Sequence, residues 1–544
     1  MLPVVWLLTM RSFSSAKPKD CSSTVRTFKR LFNGCRLSFN LGMNPPNPIL
    51  AAIPVVFFSL VAFVHAAEVR DGRVGIFTSQ ADIGNTAQPG VAEYDSNAGK
   101  YTVTGGGDNI WNTNDAFHFV WKKMAGDLSF AADVRFLDAV GVPHRKACLF
   151  IRQSLAPGSA YADVAVHASG LTSLQYRDVE NGATHEIQSE VAAPTRVRIE
   201  KRGDYFSFWV AAPGGELKLD GGYLKVPLPG DFYVGFGVSA HDNTAITKAV
   251  FSNVELKRFS GTNAVPTMEN SLETVNIAST DRRMVYHTSD HIEAPNWSRD
   301  GSYFVFNSGG KLYQLPVTNG VPQPIDTGVA INCNNDHGFS PDGSQLAISS
   351  HLESDKQSRV FLVPAGGGTA RQMTPLGPSY WHGWSPDGRT LAYCAERGGN
   401  FDVYSLPAAG GEEKRLTTAP GLDDGPDFSP DGKYIYFNSE RTGLMQIWRM
   451  KPDGSDQEQV TTDDHNNWFA HPSPNGKWIV FLTYEKEVKG HPANQDVILR
   501  LMEVSTSKIS VLAKLFGGQG TMNVPSWSPD SSQVAFVSYQ RVYP

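Results

Sequence analysis

Three histidines, His337, His382 and His471, recur beside copies of one turn sequence, the first two lying three residues before its serine and the third lying two before it. Imidazoles with Asp336, Asp424 or Asp427 close by make a donor set for a divalent metal. Manganese or calcium is the cofactor such a set would take. A cation of this kind stabilises negative charge on a substrate carboxylate while a neighbouring base removes a proton. Strand alternation argues the other way: positions one and three before the serine share a face, so His337 and His382 go with Phe339 and Trp384 into packing, as hydrogen-bonded structural groups. No Ser-His-Asp ordering, nucleophile elbow, phosphate loop or nucleotide fingerprint occurs, and nothing in the residues compels an enzyme.

A second set suits recognition better than catalysis. Five residues before the turn serine the column reads Glu293, Asn335, Tyr380, Asp424, Trp468 and Asn523, with no aliphatic residue in six repeats. Beside it stand Trp381 and Asn467, and a following loop carries Arg441. Amides, carboxylates and aromatic rings around one mouth supply donors and acceptors between flat apolar surfaces, as a polar ligand requires. Asn335, Tyr380, Trp381, Asp424, Asn467, Trp468, Asn523 and Arg441 are therefore expected to bind ligand. The bland alternative is that strand starts carry polar residues because they meet solvent.

The elements that must position these residues follow from the turn itself. Copies begin at Ser298, Ser340, Ser385, Ser429, Ser473 and Ser528, spaced 42, 45, 44, 44 and 55 residues apart, three of them as Ser-Pro-Asp-Gly and the others one residue away from it. Proline presets φ, aspartate bonds its own backbone and glycine accepts positive φ, so each copy is a tight hairpin. An aromatic residue or proline precedes each turn, and apolar runs such as Tyr434–Phe437 and Gln446–Met450 follow. Four short strands per repeat and no helical period predict a β-propeller of six blades. Blade six runs out of chain, so residues 273–288 are expected to supply its two outer strands and remove the free edges.

The pattern Trp-Ser-Pro-Asp-Gly, an apolar strand, then Ser439-Glu440-Arg441-Thr442-Gly443 and endings such as Leu416-Thr417 or Val460-Thr461 resembles the propeller repeat of the TolB-like family, over about residues 270–544. The resemblance implies a six-bladed propeller; for function it is permissive, since one fold serves scaffolds, gating domains and lyases. The channel histidines also resemble those of the oligogalacturonate lyases, propellers that hold a metal on histidines and cleave acidic sugars by β-elimination. Those proteins have seven blades and their ligand motif does not match here residue by residue.

Residues 68–258 carry no repeat but alternate strongly, as in Tyr205–Val210 and Phe232–Val238, with Gly, Asp or Asn turns between runs. About a dozen strands in this length predict a two-sheet β-sandwich of jelly-roll kind. Its order of motifs is similar to concanavalin-type sandwiches. Arg152, Tyr176, Arg177, His118 and His241 alternate with apolar neighbours and would line a concave face for glycans, or else form the ordinary solvated face of a sheet. Asp108 and Asp115 beside a glycine-rich loop offer oxygen ligands for calcium, though without EF-hand spacing. Residues 259–272 read as a linker.

Residues 1–67 hold seven of the 48 basic residues and one of the 54 acidic ones, leaving the remainder at a formal charge of −12. That disfavours nucleic acid as a partner. The apolar run Ile49–Ala67 ends in Val-His-Ala-Ala and reads as a signal peptide starting at Met43 and cleaved after Ala66 or Ala67, with an uncleaved anchor as the competing reading. Cys148, Cys333 and Cys394 lack the spacing of a zinc site or redox pair. The expected protein is periplasmic or secreted and binds a polysaccharide or an envelope protein. The alternative is a carbohydrate-active enzyme, a metal-dependent lyase or hydrolase.

Overall fold

The computed structural model describes residues 69–259, 265–318 and 320–543, and every regular element among them is a strand. The proposed leader and its start at Met43 lie outside the described residues.

In the N-terminal half the alternating runs form two antiparallel sheets packed face to face. One places Phe117–Met124, Phe232–Ser239, Lys146–Arg152, Tyr161–His167 and Thr172–Arg177 side by side; the other is built around Tyr205–Ala211, Arg196–Arg202, Leu128–Phe136 and Thr247–Arg258. Phe77, Phe130, Phe236 and Phe251 meet between them, Phe236 stacking on Phe251 with ring centroids 3.9 Å apart. The outward face of the first sheet is covered too, by a second cluster that includes Phe117, Phe119, Phe150 and Tyr161. A sheet buried on both sides leaves no open concave face, which decides the fate of several expected ligand residues below.

The propeller repeats form five four-stranded antiparallel blades, beginning at Ile292, Cys333, Ser379, Asp423 and Asn466. The expected count of six is corrected to five. Strand Gln533–Val542 pairs with Thr267–Asn276, and that strand with Arg282–Thr288, but opposite them the inner position holds only one bridge, Trp527 to Val534. Pro525, without an N–H, interrupts the ladder that a full inner strand would need. On the other side Arg282–Thr288 pairs in parallel with His185–Gln188, so these three strands belong to the N-terminal sheet, which thereby reaches eleven strands. The first of them starts at Thr267, inside the stretch read as linker.

A buried ion pair pins this junction. Arg282 Nη2 donates to both oxygens of Glu273, at 2.9 and 2.8 Å, and Nη1 donates to the carbonyl of Lys514 at 3.1 Å.

At the opposite end of the blades the six turns interlock. In every copy the serine Oγ donates to the carboxylate of the Asp two residues on, or to the Asn475 amide oxygen, at 2.6–2.9 Å. The same Oγ accepts the backbone N–H five residues on at 2.8–3.1 Å. Gly388, at φ +70°, lies so that a Cβ there would meet Pro341 of the preceding turn, and Gly301 stands in the same relation to Pro529, which brings the sixth turn round to the first.

Two substitutions separate turn strain from mere loss of glycine. Gly388→Ala is expected to cost about 1–3 kcal/mol through its positive φ. Gly366→Ala, where φ is ordinary and nothing lies within 4 Å, is expected to leave the urea midpoint unchanged or slightly raised. A second prediction concerns the junction: Arg282→Met strands the Glu273 carboxylate and should lower stability by about 3–5 kcal/mol in the same urea titration.

Candidate functional site

Each inner strand breaks its register once, between Glu293 and Asn296, Cys333 and His337, Trp381 and Gly383, Asp424 and Asp427, or Trp468 and His471. These β-bulges re-aim the side chains that precede the turn. Ala294, Gly425 and Phe469 take positive φ there, +54°, +61° and +54°. In the third blade the bulge falls on His382 itself.

The bulged ends enclose a cavity of about 360 Å³. Asn334, Asn335 and Asp336 come from the second blade, Tyr380, His382 and Phe401 from the third, Leu422 and Asp424 from the fourth, and Phe469 and His491 from the fifth; Gln519 and Asn523 complete the wall. His382 Nε2 lies 3.2 Å from Asp424 Oδ1, and its Nδ1 donates to the carbonyl of Asn523 at 3.3 Å. Burial works against the charge on His382, but Asp424 and Asp336 outweigh it and raise the imidazole to about 9. Burial likewise opposes the charge on Asp424, yet His382 brings that carboxyl down to about 2. Burial pushes Asp336 up to about 6 and lowers His491, whose Nδ1 is bonded to Gln519 Oε1. Near neutral pH the cavity thus holds an imidazolium–carboxylate pair and a further carboxylate, a net negative charge.

Of the residues expected to bind ligand, Asn335, Tyr380, Asp424 and Asn523 line this cavity together. Trp381 is buried between blades with its ring over Gly338, and Trp468 is buried in the core of the fifth blade, so neither lines it. Asn467 is fully buried in a network with Gln446, Thr461, Asp463 and Thr483. Arg441 donates to Asp423 Oδ2 at 2.8 Å and stacks over Trp448, away from the lining.

The N-terminal candidates form no open groove. Arg177 donates to both oxygens of Asp115 at 3.0 and 2.8 Å, and Arg152 reaches the same carboxylate at 3.4 Å; both guanidiniums are fully buried. Loop carbonyls of Asn112, Ser159 and Ala156 take up further donors, while Arg152 Nη1 has no partner among the described residues. Tyr176 packs in the core between the sheets. These three, expected to meet a glycan, thus lie under covering loops or between the sheets rather than along an open groove. Asp115 is likewise committed to the arginines, and His118 is held between Asp82 and Gln80.

The three channel histidines have separate partners. His337 Nδ1 lies 2.6 Å from Asn296 Oδ1, His471 Nδ1 lies 3.0 Å from Asp427 Oδ2, and His382 pairs with Asp424. Among the described residues no group of three or more His, Cys, Asp or Glu side chains is arranged to hold a metal ion. Phe401, Leu422, Gln519 and Cys394 line the cavity without having been singled out by the repeat column. Phe401 and Gln519 sit where loops meet strands, outside the period; Cys394 showed only as an apolar strand residue, and burial keeps its thiol protonated.

A ring of antiparallel blades around a polar cavity defines a β-propeller. Residues 381–544 match the family model described as the TolB beta propeller domain. An uncharacterised protein of Agrobacterium fabrum is 50% identical over 273 residues, which cover 50% of this chain and 93% of that protein. The chain therefore belongs, through its C-terminal half, to the TolB β-propeller family. Among solved structures, a candidate TolB from Agrobacterium tumefaciens is 50% identical over 51% of this chain and 99% of its own, with a TM-score of 0.49. TolB from Acinetobacter baumannii is 16% identical over 59% of this chain and 79% of its own, with a TM-score of 0.37.

The His382–Asp424 pair gives a pH-dependent prediction. The raised imidazole contributes stability that is complete below its ordinary value of 6.5 and is lost as pH rises through about 9. The lowered carboxyl contributes stability that is complete above 3.8 and is lost as pH falls toward about 2. His382→Gln should cost about 3–5 kcal/mol at pH 6. Urea titrations at pH 6, 8 and 10 should show the gap between wild type and variant closing as pH rises.

Proposed function

We propose that this chain is an exported binding protein that receives a segment of an envelope protein at the open end of its propeller channel. The observation that supports it is the cavity itself: amides, carboxylates and aromatic rings from four successive blades converge on one space without an activated nucleophile among them. Kinship with the TolB propellers supports the same reading, and with it a periplasmic location. The N-terminal sheets belong to this reading as a jelly-roll sandwich of concanavalin type, carried as a second module. A polysaccharide remains the other ligand class within the proposal, met at the propeller mouth because Arg152 and Arg177 are buried against Asp115 and Tyr176 is packed in the core. The lyase alternative gains no equal support, since His337 and His471 are not among the lining residues.

The test is capture. Immobilised protein is exposed to envelope extract and, separately, to a glycan array. Wild type is expected to retain a protein that the double variant Asn335→Ala/Tyr380→Ala loses by about tenfold or more, while Arg441→Ala retains it. Silence on both surfaces would overturn the binding reading.

A further inference from the structure

We propose that the propeller cavity accepts the ammonium group of a lysine side chain presented by a protein partner. This rests on the binding reading above and specifies its chemistry. Asp336 is 5% exposed and lines the cavity; its Oδ2 accepts from Asn334 Nδ2 at 2.7 Å, and among the described residues its Oδ1 has no hydrogen-bond partner. Asp424 Oδ1 is engaged by His382 and by the N–H of Gly425 at 2.7 Å, which leaves Oδ2 open in the same way. Each carboxylate therefore presents one free oxygen, not two.

That arrangement discriminates between cations. A guanidinium is matched by a fork of paired acceptors on one carboxylate, whereas an ammonium directs three donors to three separate points. Asp336, the Tyr380 hydroxyl and Asp424 stand on three successive blades and offer three such points. Tyr380, Phe401 and Phe469 supply ring faces for the alkyl stem and for cation–π attraction. An anion would meet the uncompensated charge of Asp336, because His382 is already balanced by Asp424. Beyond the lining, Glu293 and Glu396 add negative potential, and His291, paired with Glu293, is the titratable group set against it.

The probe is acetyl-Gly-Lys-Gly-amide, titrated calorimetrically into the full chain beside its Nζ-acetylated form, its arginine analogue and a trimer of glucosamine. Lysine peptide is expected to bind best, acetylation to abolish binding, and Asp336→Asn to weaken it about tenfold. Thermal unfolding checks that the variant folds. Independently of any variant, wild-type affinity should fall between pH 7.5 and 5 as Asp336 takes up a proton, while His382 stays charged, Asp424 ionised and His491 neutral at the upper end.

Equal binding of the acetylated peptide, tighter binding of the arginine peptide or the glucosamine trimer, or no binding at millimolar concentration would each overturn the lysine assignment. A captured envelope protein that still binds after its lysines are acetylated, and still needs Asn335 and Tyr380, would sink the lysine assignment while leaving the binding reading intact.

Discussion

The short hydrogen bond from each turn serine to the Asp or Asn two residues on is what the propeller depends on. It holds the turn closed while the serine oxygen collects the backbone N–H that starts the next strand, so one hydroxyl fixes both the reversal and the register of the hairpin. A turn fixed this firmly presents its glycine at positive φ to the proline of the turn before, or, for Gly343, to Arg299 in that place. The contacts repeat from blade to blade and return from Pro529 to Gly301, and the sixth turn, which has Ser531 in place of glycine, joins through the N–H of Asn475 to the Ser531 hydroxyl at 3.1 Å. Ring closure therefore survives where the sixth four-stranded blade does not.

With that end locked, the other end is free to be irregular. A β-bulge in a continuous sheet disrupts a ladder, but near the start of an inner strand it loses little pairing and gains control over where side chains point. The bulges let polar residues line a common space while their aromatic neighbours, Trp381 and Trp468, return to the core. The alternation argument about histidines shows the same effect. His337 follows its bulge and obeys the alternation, packing toward Asn296, whereas His382 is the bulged residue and faces the cavity, where Asp424 holds it charged.

The turn repeat, the all-strand architecture and the polar column were legible because each rests on a local rule or a fixed period. Four members of the column, Asn335, Tyr380, Asp424 and Asn523, share the cavity. Asn467 was misjudged because an amide serves equally well in a ligand site and in a buried network, and only the third dimension brings Gln446, Thr461 and Thr483 around it. Arg152 and Arg177 failed for a related reason: a solvated sheet face and one roofed by loops have the same alternating sequence. The roof itself, Asn112 to Asp115 and the turns near Ser159 and Gly182, carries no period at all. The short inner strand beside Gln533–Val542 could have been anticipated from Pro525, which removes a donor where a ladder needs one.

The N-terminal sheets bear on the cavity through one carboxylate. Asp496 lies at the start of the strand Gln495–Glu503 that follows the loop carrying His491, and it accepts from Tyr205 Oη and from Lys225 Nζ, both at 2.7 Å and both from the N-terminal half. Tyr205 and Tyr223 stack with centroids 4.4 Å apart, and each meets Phe516 edge-on, an apolar footing beneath that polar contact. His491 packs against Phe469 and Trp468 and hydrogen-bonds Gln519, so the loop forms one wall of the cavity and is held from outside as well as from within. Long loops owe their mobility to few buried contacts. This one is tied at its far end by two hydrogen bonds, one of them to a charged amine, and the continuous eleven-stranded sheet prevents the two halves from drifting apart. That wall is thereby held in part by a half of the chain that contributes no residue to the cavity.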